Sequence, residues 1–152
     1  MAQIRRISTT VDFFLPTRLP SRYAINSNSN PPAIAYGMMV HLALEGAETL
    51  ATEGIDVEVL DLRTVQPLDT EAILGTVTKT SRAIVVSEPQ RYLGTGAEVA
   101  SLIAEEAFES LDAPVVRLSP PHVPVPFSPP LEDAYLPQVS DIEDAVRTMS
   151  AW

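Results

Sequence analysis

The chain has 152 residues, 45 % of them apolar, and a formal net charge of −10, which suits one domain that buries about two-thirds of the surface its unfolded chain exposes. The sequence contains no cysteine and two separated histidines, His41 and His122, which excludes disulfides and thiolate metal centres and argues against a histidine-based one. No apolar run nears the ~18 residues that cross a bilayer as a helix, so the chain is read as soluble, with no membrane partner.

Charge is divided unevenly. Residues 1–32 hold four Arg against Asp12 alone, and residues 33–152 hold six basic against nineteen acidic side chains. An acidic body repels phosphates, so no nucleic acid partner is expected; a basic protein surface is the better electrostatic match. The first 32 residues, with PTRLPSRY followed by NSNSNPP, lack apolar periodicity and are expected to form a poorly structured tail, either a leader or a fusion remnant.

From Ala33 the pattern becomes regular. AIAYG reads as a strand and turn, and Val40, Leu44, Ala47 and Ala51 recur at helical spacing until Gly54 closes the helix. DVEVLDL is the next strand, and Asp69 caps a helix through TEAILGTVTKT with its acidic first turn at the positive end of the dipole. RAIVVSE is a buried strand, PQRYLGTG a glycine-bearing loop, and GAEVASLIAEEAFESL the expected longest helix, with Val99, Leu102, Ile103 and Phe108 as its apolar stripe. PVVRLS supplies a further strand. This alternation predicts an α/β fold with a parallel, helix-covered sheet.

Between Ser119 and Pro137 the pattern stops, and seven prolines fall in SPPHVPVPFSPPLEDAYLP. Proline at this density removes backbone donors and favours extended chain, so the segment is expected to be a surface arm that offers Phe127, Leu131, Tyr135 and Leu136 to a neighbour. A last helix is expected to begin at Ser140 or Asp141 and to run through Ile142, Val146 and Met149.

Four sets of residues invite a chemical reading. Glu88 and Arg91 follow a parallel strand at the edge where α/β proteins place ligands, and read as a surface ion pair more simply than as catalysts. Asp61, Arg63, Pro67 and Asp69 read as a loop-fixing set in which Arg63 bonds backbone carbonyls. Gly94 and Gly96 open a helix without the spacing of a phosphate loop, and read as backbone accommodations. His41 and His122 have no nucleophile or carboxylate at a telling distance. No catalytic, cofactor-binding or metal-ligating residue is assigned.

AYGMMVHLAL, VEVLDLRTVQPLD, GTGAEVASLIAEEAF, LDAPVVRL and VPVPFSPPLEDAYLP in this order resemble the C-terminal domain of the beta subunit of thiamine diphosphate-dependent 2-oxo acid dehydrogenases, the family of pyruvate, branched-chain 2-oxo acid and acetoin dehydrogenases. The resemblance spans residues 33–152 and implies a transketolase C-terminal-like domain: a three-layer α/β/α sandwich on a five-stranded, mostly parallel sheet in which one strand can run against the others. It also implies thiamine diphosphate and magnesium as cofactors of the complete enzyme. The activating glutamate and the Gly-Asp-Gly metal motif of that family are not in this sequence, so the chain alone is expected neither to hold the cofactor nor to be catalytic.

The implied partners are a dehydrogenase alpha subunit, a second beta subunit and the subunit-binding module of the acyltransferase core, with Asp112, Phe127, Leu131, Tyr135 and Trp152 as candidate contacts. His122 departs from the family, where an acidic residue usually precedes the arm. Other readings are a stand-alone assembly or regulatory domain, or the equivalent domain of transketolase or deoxyxylulose phosphate synthase; LEDAYLP and the arm favour the dehydrogenases. The expected compartment is the cytoplasm in a bacterium and the mitochondrial matrix or plastid in a eukaryote.

Overall fold

The computed structural model describes residues 22–24 and 30–151; Trp152 and most of the expected tail lie outside them. Its sheet is ordered β1-β3-β2-β4-β5, with β1 Arg22–Ala24, β2 Ala33–Ala35, β3 Glu58–Asp61, β4 Ile84–Val86 and β5 Val116–Leu118. Four strands, β2 to β5, run parallel. The fifth, β1, pairs antiparallel with β3, Arg22 opposite Leu60. That edge strand falls inside the segment expected to be a tail, so the sheet begins before Ala33.

Five helices complete the domain: α1 Met38–Thr52, α2 Thr70–Thr80, α3 Thr95–Glu106, α4 Pro129–Tyr135 and α5 Val139–Ser150. Successive strand residues face opposite layers. Ala33 and Ala35 of β2 pack with Met39, Ala43 and Leu50 of α1 and with Ile142 and Val146 of α5. Ile34 instead packs with Ile73 and Val77 of α2 and Val99 and Ile103 of α3. The result is the expected α/β/α sandwich. Glu58 interrupts the second layer, and Thr76 Oγ1 and Lys79 Nζ, each 3.1 Å away, satisfy its buried carboxylate and offset the loss of its hydration.

Several helices depart from the sequence expectations. The longest is α1, not α3. Helix α3 ends at Glu106, and a 3-10 turn at Phe108–Ser110 swings Phe108 into solvent, out of the expected stripe. The buried face of α1 is Met39, Val40, Ala43, Gly46, Ala47 and Leu50, while Leu44 and Ala51 are half-buried. Inside the proline segment Pro129 and Pro130 start a helix instead of preventing one, since the first turn of a helix needs no N–H from them. Helix α5 begins at Val139 because Gln138 and Asp141 cap it reciprocally.

The two helices of the first layer are tied at their far end by Arg147. Its guanidinium grips Glu53 at 2.7 and 3.0 Å and also reaches Glu143 and Asp144, each at 3.0 Å. The hydrogen bonds from Arg147 hold the Glu53 carboxyl below its ordinary value, against a smaller opposing effect of desolvation. A carboxyl lowered in the folded state stabilises above its unfolded pKa, and that contribution disappears as pH falls through the folded value. Arg147→Met is therefore expected to lower the melting temperature at neutral pH, with the gap from the parent chain closing below the usual carboxylate range. Thermal unfolding at a series of pH values checks this; a gap independent of pH would mean that Arg147 acts by packing alone.

Candidate interface at the carboxyl edge of the sheet

In a parallel sheet the loops that follow the strands gather along one edge, and this is where α/β proteins place ligands and contacts. Here they are the β2–α1 turn at Tyr36 and Gly37, the β3–α2 loop 62–69, the β4–α3 loop 87–94 and the β5–α4 segment 119–128. The polar residues along this edge are mostly engaged in holding the loops.

Glu88 Oε1 accepts the Met38 N–H at 2.9 Å, so its carboxylate lies at the positive end of α1. Gly37 makes the approach possible: its φ is +61°, and a Cβ there would stand 3.1 Å from Glu88 Oε1. Glu88 and Arg91 do not form the expected pair. Arg91 Nη1 instead donates to the Arg117 carbonyl at 2.9 Å, and Arg117 Nη1 returns a bond to the Arg91 carbonyl at 3.3 Å.

In the β3–α2 loop, Asp61 takes both the Arg63 amide at 3.0 Å and Arg63 Nε at 3.1 Å. Arg63 thus holds a carboxylate and not the backbone carbonyls expected of it. Thr64 Oγ1 donates to the Pro67 carbonyl at 2.9 Å, and Asp69 caps α2 through the Ala72 N–H at 2.9 Å. Gly94 and Gly96 serve close packing. A Cβ on the first would run into the Gln90 carbonyl, and one on the second would lie 2.9 Å from Ser87 Oγ. Ser87 in turn shares a 2.9 Å hydrogen bond with Ser119 on the neighbouring strand end.

The β4–α3 loop and the proline segment are fastened together. Arg91 N–H donates to the Pro120 carbonyl and Gln90 Nε2 to the Val123 carbonyl, both at 3.1 Å, and the rings of Tyr92 and His122 meet edge to face at 5.2 Å. This fastening leaves apolar side chains outside. Met38, Val65, Tyr92, Leu93, Val123, Val125, Phe127 and Leu131 are all exposed, Phe127 completely and Leu93 by 85 %. Every one lies on these loops or on the first turn of the helix that follows. Among the described residues, the other large apolar side chain exposed to this degree is Phe108, beyond the opposite end of α3. Exposed apolar surface concentrated on one edge marks a contact surface.

The expected contact residues therefore divide. Phe127 and Leu131 belong to this edge and are exposed. Tyr135 turns inward, only 8 % exposed, because α4 coils the chain that was expected to be extended. Asp112 is exposed but precedes β5, which places it at the opposite edge with Phe108. Trp152 lies outside the described residues. Sequence reading passed over Tyr92 and Leu93, whose signal is an apolar pair in a loop between Pro89 and Gly94.

The domain is thus a three-layer α/β sandwich in which carboxylates along the carboxyl edge hold helix starts and loops, and exposed apolar side chains gather on that same edge. The chain belongs to the transketolase C-terminal domain family, whose model matches residues 33–142. It is 46 % identical over 114 residues to the acetoin:2,6-dichlorophenolindophenol oxidoreductase subunit beta of Cupriavidus necator, covering 75 % of this chain and 34 % of that protein. It is 42 % identical over 123 residues to the pyruvate dehydrogenase E1 component subunit beta of Rickettsia felis, covering 81 % and 38 % respectively. The chain thus spans little more than a third of the length of these curated relatives. Among solved structures, a split-gene transketolase in an inactive beta4 tetramer superposes with a TM-score of 0.71 at 26 % identity, over 89 % of this chain and 43 % of that one.

Proposed function

We propose that this chain serves as the C-terminal domain of a 2-oxo acid dehydrogenase beta subunit, contributing assembly surfaces to oxidative decarboxylation carried out elsewhere in the enzyme. The observation that carries this reading is the gathering of exposed apolar side chains on the carboxyl edge, from Met38 to Leu131. On the whole enzyme's scale, that edge packs against the alpha subunit and a second beta subunit. The opposite edge, with Asp112 and the exposed Phe108, faces the basic subunit-binding module of the acyltransferase core, where an aromatic anchor beside opposite charge suits a protein partner.

Thiamine diphosphate and magnesium belong, on this reading, to the complete enzyme. At the glycine-bearing start of α3, Gly94 packs closely on Gln90 and Gly96 on Ser87, which supports a packing role for both glycines. On this reading the domain's part in the reaction is positional.

Co-expression of this chain with a dehydrogenase alpha subunit, followed by size-exclusion chromatography, tests the reading. Stable co-elution is expected, and absence of any association would sink it. Deleting Ala151 and Trp152 should weaken capture by the acyltransferase module by about 1 kcal/mol or more while leaving alpha-subunit association intact; unchanged capture would remove the C-terminus from the docking site.

A further inference from the structure

Among the described residues, three other than glycine adopt the left-handed backbone conformation: Arg63 at φ 57°, Ser81 at φ 58° and Leu93 at φ 57°. That conformation strains a residue with a Cβ. Two of the three have a reason within the chain. Asp61 takes both the amide and the guanidinium of Arg63, and Ser81 closes α2 with its N–H on the Val77 carbonyl. Leu93 has no such reason. Its side chain is 85 % exposed and belongs to neither buried cluster. It stands just before Gly94, the N-cap of α3, where an apolar residue often packs on the fourth residue of the helix. Here that residue is the exposed Glu98. A leucine strained by the fold and not used in it is explained by a contact outside the chain.

The loop that carries Leu93 is fixed on both sides of it. Before it, Arg91 N–H donates to the Pro120 carbonyl at 3.1 Å. Arg91 Nη1 donates to the Arg117 carbonyl at 2.9 Å, and Arg117 Nη1 donates back to the Arg91 carbonyl at 3.3 Å. Each guanidinium thus holds the other residue's backbone, which fastens the loop to β5. Gln90 Nε2 adds a bond to the Val123 carbonyl at 3.1 Å. After it, Gly94 lies so close to the Gln90 carbonyl that a Cβ there would collide. Tyr92 and Leu93 fall between these ties and stand 65 % and 85 % exposed. A partner that meets side chains already held in place is spared the cost of ordering them.

We propose that Leu93 is an anchor of the carboxyl-edge interface and that Arg91 and Arg117 are its positioning residues, a reciprocal clasp that holds the loop in the strained turn from which Tyr92 and Leu93 project. The inference rests on the assembly reading above and adds to it the residues that set the shape of the edge before a partner arrives.

The test uses two variants of the full chain. Leu93→Asn keeps the left-handed turn, which asparagine tolerates, and removes the apolar side chain. It is expected to leave the melting temperature unchanged or higher and to weaken association with the dehydrogenase alpha subunit about tenfold. A leucine placed for the fold would give the opposite pair, a lower melting temperature with unchanged association, and that result would overturn the anchor. The double variant Arg91→Met, Arg117→Met is expected to lower the amide NMR order parameters of Gln90–Gly94 in the isolated chain, while Ile84–Val86 of β4 keep the ~0.85 of rigid backbone, and to slow association several-fold. Order parameters equal to those of the parent chain would overturn the clasp. If the parent chain itself does not associate, the assembly reading has failed and the anchor with it, whereas the order parameters still decide the clasp.

Discussion

Ile34→Ala is expected to destabilise the domain by about 2–5 kcal/mol, a large part of the ~5–15 kcal/mol by which a domain of this size is stable. Ile34 is fully buried in β2, the middle strand, between Leu60 and Val85 on its hydrogen-bonded neighbours. Its side chain enters the layer formed with Ile73, Val77, Val99 and Ile103. The loss has two parts: the transfer of the deleted methyl and methylene groups, near 0.8 kcal/mol for each carbon, and the cavity that remains. The cavity stays open because both flanking strands are fixed by the ladder and both covering helices are fixed by other buried contacts. Ile34→Val deletes one carbon and should cost about 0.5–1.5 kcal/mol. Guanidinium denaturation followed by circular dichroism measures both, and equal costs for the two variants would contradict the packing described.

The second large effect concerns assembly. The double variant Phe127→Asp, Leu131→Asp is expected to weaken association with the dehydrogenase alpha subunit by about 2 kcal/mol or more, roughly thirtyfold, because two exposed apolar anchors become charges in a surface that excludes water. Both side chains are solvated in the isolated chain, Phe127 fully and Leu131 by 60 %, so the melting temperature should hardly move. Phe108→Asp, at the opposite edge, is the matched control and should leave this association unchanged. If the double variant assembles normally, the carboxyl edge is not the interface, and the proposed placement of partners fails with it.

Much of the fold was legible along the chain because its signals are local. Alternation in DVEVLDL and the short apolar runs AIA and IVV mark strands without reference to anything distant. Asp69 announces the start of α2 by a bond made three residues away, to Ala72. Phe127 and Leu131 were recognised as surface residues for an equally local reason, the proline density around them. Other features depend on partners remote in sequence. Glu88 reads as half of an ion pair with Arg91 until the fold brings Met38, fifty residues earlier, within 2.9 Å. Phe108 reads as a continuation of the α3 stripe until the 3-10 turn ends that periodicity. Tyr135 reads as exposed until Pro129 and Pro130 are seen to open a helix and not an extended arm.

By itself the sequence determined the α/β class, the alternation of strands and helices from β2 to β5 and the last helix α5, the acidic body and the family resemblance, since these follow from periodicity, composition and ordered motifs. Only the tertiary structure decided how those parts meet. It placed Arg22–Ala24 as an antiparallel edge strand, turned Arg91 and Arg117 towards each other's carbonyls, and collected the exposed apolar side chains of separate loops on one edge. The reason is physical: a parallel sheet brings the ends of strands together only after crossovers of a dozen or more residues, and no local pattern records which loops will then be neighbours.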